Sequence, residues 1–203
     1  MRKKSHIALA NQLLQSNTNS LLFQHKFSFY WGSILPDCMP SFLTRRHCIQ
    51  ETFPLLQHEL SLLMEKYDYK KGITSYFCRH LGIILHHVAD YFTYPHNVFF
   101  RGNLPAHCKY EKELKFALRS YFKEAKSTLS HNISSTSCTV NSICQKIKET
   151  HRTYAETSHT HFTDCYYITE ICCYIVDTIL SYARERIKEF FPNSYPQSQK
   201  VAI

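Results

Sequence analysis

The sequence predicts an all-α protein, a single domain built as a multi-helix bundle. Three observations carry that prediction. Only four glycines, Gly32, Gly72, Gly82 and Gly102, occur in 203 residues, about a third of ordinary usage and too few for a turn-rich β architecture. Apolar residues recur at intervals of three and four, the period of a helix face. Long stretches contain neither Gly nor Pro, so little interrupts a helix once it starts. With 44% hydrophobic and 20% charged residues, the chain is long enough and apolar enough for one substantial core.

The elements follow in order. Residues 6–15 place Ile7, Ala10, Leu13 and Leu14 on one helical face. The aromatic stretch from Phe23 to Met39 reads as a short helix and then a bend at Pro36-Asp37. Pro40 and Pro54 punctuate a loop, and a helix follows over about 53–67. Residues 70–94 carry Ile73, Phe77, Leu81, Ile84, Leu85, Val88 and Phe92 at helical spacing, which predicts a long buried helix ending before Pro95. The stretch 96–106 holds Gly102 and Pro105 and reads as a loop. Helical spacing returns over 107–129 with Tyr110, Leu114, Ala117, Leu118 and Phe122. Ser127 to Asn141 is rich in Ser, Thr and Asn, a loop composition. Helices then cover about 139–155 and 161–191. The chain after Pro192 is expected to fray. One domain over 1–195 and a disordered tail over 196–203 result, with no internal repeat and no second-domain boundary.

Charge and cysteine usage narrow the classes. The formal charge is +8 and the pI near 9.0, which suits solubility and also attraction to an anionic surface. The basic residues are scattered, as in Arg45-Arg46, Lys70-Lys71 and Arg184, Arg186 and Lys188. No aromatic-basic repeat of a nucleic-acid module occurs, so nucleic acid is not the expected partner, while peripheral contact with an anionic membrane is compatible. None of the nine cysteines forms a CxxC pair, which argues against a thiolate zinc site. Their odd number and the lack of an export signal predict reduced thiols and a cytoplasmic location. Cys172 and Cys173 are expected to be core residues. The start, Met-Arg-Lys-Lys-Ser-His, imitates a signal peptide, but the apolar run Ile7–Ala10 is cut short by Asn11-Gln12. No stretch of eighteen apolar residues occurs, so no membrane span is expected.

The chemistry lies in two short patterns twenty-one residues apart, His86-His87-Val88-Ala89-Asp90 and His107-Cys108-Lys109-Tyr110-Glu111. Each sets a histidine four residues before a carboxylate. Four residues make about one helical turn, so both side chains of a pair point from one face. His96 lies between the pairs. Imidazole and carboxylate are the donors zinc takes when thiolates are absent, and two pairs with a linking histidine suit a site for more than one metal ion. His6, Asp37 and His47 are further candidates. His25, His58, His80, His131 and His151 read as ordinary structural histidines, as do His159 and His161, which have no matching carboxylate pattern. His87 points about 100° from His86 and reads as the donor of an outer or surface hydrogen bond.

The segment from His86 to Asn97 and the segment Ala106 to Glu111 resemble the zinc-dependent phospholipase C family, with its HxxxD, a following His after Pro, and HxxxE. Ser5-His6-Ile7-Ala8-Leu9-Ala10-Asn11 resembles the family's N-terminal ligand segment. Gly32-Ser33-Ile34-Leu35-Pro36-Asp37 with His47 resembles the next ligand pair. The resemblance spans residues 5 to about 120, and the remainder carries no assignable motif. It implies an all-α bundle of the phospholipase C and zinc nuclease type. It further implies that Asp37, His47, His86 and Asp90 hold one zinc ion and that His96, His107 and Glu111 hold a second. His6 would contribute to a third, with Asp90 bridging. The family completes that third site with an N-terminal tryptophan, whereas the one Trp here is Trp31.

What the resemblance implies for function is a zinc-dependent phosphodiester hydrolase with two or three Zn²⁺. Metal-activated water would attack a phospholipid-type phosphodiester, with Asp37 orienting or deprotonating it. A nuclease-like zinc phosphodiesterase and a non-catalytic, metal-stabilised helical protein are the alternatives.

Overall fold

A computed structural model describes residues 1–15, 20–40, 46–124 and 138–192. It is an all-α bundle with no strand among the described residues. The helices are α1 (Lys3–Gln15), α2 (Ser20–Phe23), α3 (Lys26–Ile34), α4 (Ile49–Met64), α5 (Ser75–Tyr91), α6 (Leu104–Glu124), α7 (Val140–Ala155) and α8 (His161–Phe190). Single 3₁₀ turns at 36–38, 69–71 and 94–96 join them. Among the described residues, no helix is long and apolar enough to cross a membrane.

α5 is the central helix. Phe77, Leu81, Ile84 and Val88 are fully buried, and the helix packs on α3, α4 and α8. Its start differs from the periodicity. Gly72, at φ 63° in the left-handed region, ends the 69–71 turn, and Thr74 then caps the helix by accepting the Phe77 N–H at 3.3 Å. The helix therefore begins at Ser75 rather than near 70.

α4 also departs from expectation. It begins at Ile49, and Pro54 stands inside it rather than in a loop. Phe53, Leu56, Leu60 and Leu63 are buried along its inner face, at about 1.5–3 kcal/mol each. That sum outweighs the roughly 3 kcal/mol an internal proline costs. α6 begins at Leu104, three residues early, with Pro105 in the first turn, where no helical N–H bond is lost. The aromatic stretch from Phe23 to Met39 forms one short helix, α3, and then the bend at 36–38, as expected, with α2 preceding it. The expected helical residues 125–129, most of the 127–141 loop, and the chain from 193 on, including the 196–203 tail, lie outside the described residues.

Two glycines let α3 and α5 touch through their backbones. A Cβ on Gly82 would lie 2.5 Å from the Phe29 carbonyl oxygen, and one on Gly32 would lie 2.0 Å from that of Arg79. No side chain fits there. The crossing sets Ser33 and the 36–38 turn beside the last two turns of α5, where His86 and Asp90 project. α8, the longest helix, closes the other side of α5 with Ile168, Cys172, Ile175, Val176 and Ile179, all buried. Cys172 and Cys173 are core residues, as expected.

Candidate metal centre

The centre is assembled from α1, α5, α6 and the segments between them. Asp37 comes from the 3₁₀ turn after α3, His47 from the strand-free segment before α4, and His86 and Asp90 from one face of α5. These four bring one ligand atom each to within 4.8 Å of one another. His86 Nε2 lies 3.3 Å from Asp90 Oδ2 and 3.6 Å from Asp37 Oδ1. His47 Nδ1 lies 3.1 Å from Asp90 Oδ2 and 3.1 Å from His86 Nε2. His96, His107 and Glu111 form a second such group. His96 Nε2 and His107 Nε2 stand 3.0 and 3.3 Å from Glu111 Oε1.

Outer hydrogen bonds fix the imidazoles. His86 Nδ1–H donates to the Ser33 carbonyl at 2.9 Å, and His96 Nδ1–H donates to the His47 carbonyl at 3.2 Å. A carbonyl can only accept, so each neutral ring carries its lone pair on Nε2, and that nitrogen faces carboxylate oxygen. Such arrangement of the second ring nitrogen is the usual one for metal-binding histidine. Lone pairs converging on lone pairs inside a core are costly unless a cation lies among them.

The sequence-predicted residue His6 joins this set. Its ring stacks on His86 with centroids 4.0 Å apart, and Nε2 lies 3.3 Å from Asp90 Oδ1. That nitrogen is buried and has no hydrogen-bond partner. All eight predicted site residues therefore meet around Asp90 and Glu111, and the donor set fits divalent metal: neutral imidazoles, carboxylates and one orphaned buried nitrogen.

One member escaped the sequence reading. The Met1 ammonium donates to Asp90 Oδ1 and, at 2.9 Å, to His96 Nε2, and it lies 3.2 Å from Glu111 Oε1. The family likeness pointed to an N-terminal tryptophan at this place, and no residue pattern marked Met1. Electrostatics follow from this packing. Burial alone would raise the Asp90 carboxyl, but the Met1 ammonium and the His96, His86 and His6 imidazoles together hold it well below the usual carboxylate range. Glu111 is lowered for similar reasons, with burial again opposed by Met1, His107 and His96. Burial, followed by the His86 ring, pushes His6 down to about 3. Asp37 is raised by burial, with Asp90 adding to it and His86 opposing.

The second residue missed is Asp164, in the first turn of α8. It is fully buried and accepts Tyr154 O–H at 2.7 Å, Tyr94 N–H at 2.9 Å and Tyr110 O–H at 3.0 Å. Tyr94 is two residues before His96 and Tyr110 one before Glu111. An acid in a helix's first turn reads from sequence as a partner of the helix dipole, so its role as a tie across the bundle was hidden.

The histidines read as structural stay outside both groups. His80 pairs with Glu59, and His151 Nε2 lies 2.7 Å from Asn97 Oδ1. His25 reaches the Ile73 carbonyl and Ser75. His159 stacks between Tyr94 and Phe99, and His161 covers Tyr110. His87 is buried, edge-on to His86 and His47. His131 lies outside the described residues.

A family model described as zinc dependent phospholipase C matches residues 5–161. Searches of curated proteins and of solved structures return no match.

Proposed function

We propose a reaction for this chain from one premise: it belongs to the zinc-dependent phospholipase C family. Zinc is the family's metal and phospholipid its substrate. The reading is hydrolysis of a phospholipid-type phosphodiester by water at a centre of two or three zinc ions. Asp37, His47, His86 and Asp90 would hold one ion, and His96, His107 and Glu111 a second. His6 and Asp90 would contribute to a third. The observation that carries this reading is the arrangement of those seven donors in two groups, linked where His96 Nδ1 stands 3.8 Å from Asp90 Oδ2.

Bound zinc supplies charge neutralisation at the phosphoryl oxygens and lowers the pKa of water toward about 7. The chain's own groups supply position and proton transfer. Asp37 is the least buried carboxylate of its group and the one raised in basicity. In this reading it orients the attacking water and takes its proton as the water oxygen bonds to phosphorus. The phosphorus–oxygen bond to the lipid alcohol breaks, and the leaving oxygen acquires a proton. Ser33 and the His47 carbonyl keep the rings of His86 and His96 aimed inward throughout.

Two measurements test this. Elemental analysis should find at least two zinc ions per chain, one for each group of donors, falling in Asp90→Ala. Hydrolysis of a chromogenic choline phosphodiester should fall in His107→Ala by more than the roughly 10–100-fold that outer-shell changes cost. A protein with one zinc or none, or with His107→Ala equal to wild type, rejects the reading.

A further inference from the structure

We propose that the face shared by the beginning of α1 and the stretch of α6 from Leu104 to Arg119 is a docking surface for anionic phospholipid membrane, which delivers lipid to the adjacent centre. The inference rests on the phospholipid reading above. Along α6, Leu114, Leu118 and Phe122 face the core. Lys112, Phe116 and Arg119 face outward at helical intervals, and Leu104, Cys108, Lys112 and Phe116 follow one i,i+4 ridge. Leu104 and Phe116 are 73% and 54% exposed. The Lys115 Nζ lies 4.1 Å from the Phe116 ring centroid.

The charge here is of one sign. Slight desolvation and then the repulsion of Arg119, Lys4, Arg2 and Lys112 hold Lys115 below the usual lysine range. The nearby α6 acids are turned to other groups: Glu111 to the metal donors and Glu113 to His161. Five cations with apolar knobs between them match a surface of lipid phosphate over hydrocarbon, where each basic residue adds attraction and each buried apolar group adds more. A polynucleotide would match the cations but gives no reason for an exposed Leu104.

The face borders the centre on two sides. Arg2 follows Met1, whose amine touches Asp90 and Glu111. His107, Glu111 and Lys115 succeed one another at i,i+4 on α6, so the donor stripe runs into the cationic one. Docking by this face brings the lipid phosphate to the side where His107 is still part-exposed.

Flotation of the zinc-loaded protein with vesicles decides the matter. Vesicles of phosphatidylcholine alone are compared with equal parts phosphatidylcholine and phosphatidylglycerol, and single-stranded DNA is run in parallel. Expected is binding to the anionic vesicles that weakens with salt and weakens roughly fivefold for each of Lys112→Gln, Lys115→Gln and Arg119→Gln. The triple variant should lose about a hundredfold while keeping wild-type zinc content. Phe116→Ser, which leaves the charge intact, should also weaken vesicle binding. Equal binding to both vesicle types, an unaffected triple variant, or a preference for DNA that the same variants abolish would each overturn the proposal. Vesicle binding by a wild-type protein that cleaves neither soluble nor vesicular phosphodiester would instead reject the reaction and leave the docking face standing.

Discussion

Asp90 is the residue on which the centre turns. Its two oxygens meet the Met1 ammonium, His6, His47 and His86, and it has no exposed surface. Its spacing from His86 is plain in the sequence because both lie on one helix. Its contact with Met1, 89 positions away, is not, since tertiary packing alone creates it. The same contrast holds for His151. In sequence it is one structural histidine among several. In the fold, burial pushes it down to about 4, against a hydrogen bond with the Tyr91 backbone that works the other way. The unfolded chain takes up a proton near pH 6.5 and the folded one does so only near 4. Stability is therefore lost as pH falls through that window. The loss expected at this site is on the order of 3 kcal/mol. Urea unfolding at pH 7 and pH 4.5 should show a steeper acid loss in the wild type than in His151→Gln.

At the scale of elements, helix periodicity made α7 and α8 legible almost to their ends. It failed where one local event overrode the period. Gly72 at positive φ delays α5, and four buried side chains carry α4 through Pro54. It also had no means of showing how α3 and α5 approach. That crossing depends on two missing Cβ atoms, and it sets the Ser33 carbonyl against His86. Gly82→Ala should therefore do more than strain the bundle. A loss of about 1–3 kcal/mol is expected from overpacking, together with weaker zinc retention, because the strut behind His86 moves with α3. Thermal unfolding and equilibrium dialysis of zinc measure the two effects, and a variant that loses stability but retains zinc as the wild type does would separate the crossing from the centre.

For the whole molecule, the fold class followed from glycine scarcity and period. Two spaced pairs and a family likeness named the eight residues that the fold brings together around Asp90 and Glu111. What stayed hidden was the contribution of the second half of the chain, because α7 and α8 supply none of the donors and speak to the centre only through packing. A core that holds three carboxylates and several neutral imidazoles together is stabilised by whatever cation binds it. Stripping zinc with a chelator should lower the melting temperature by about 10 °C, given a ligand present at roughly a thousand times its dissociation constant. An unchanged transition would mean that the charges are balanced without metal. Asp164 gives the second half its stake in the chemistry. The family match stops at residue 161, three positions short of that carboxylate. A fragment trimmed to the matched boundary would keep every donor, yet it would release the phenol and the amide that brace the approaches to Glu111 and His96. The part of the chain that braces the candidate centre thus extends past the recognisable signature, into a helix whose sequence advertises nothing but a core.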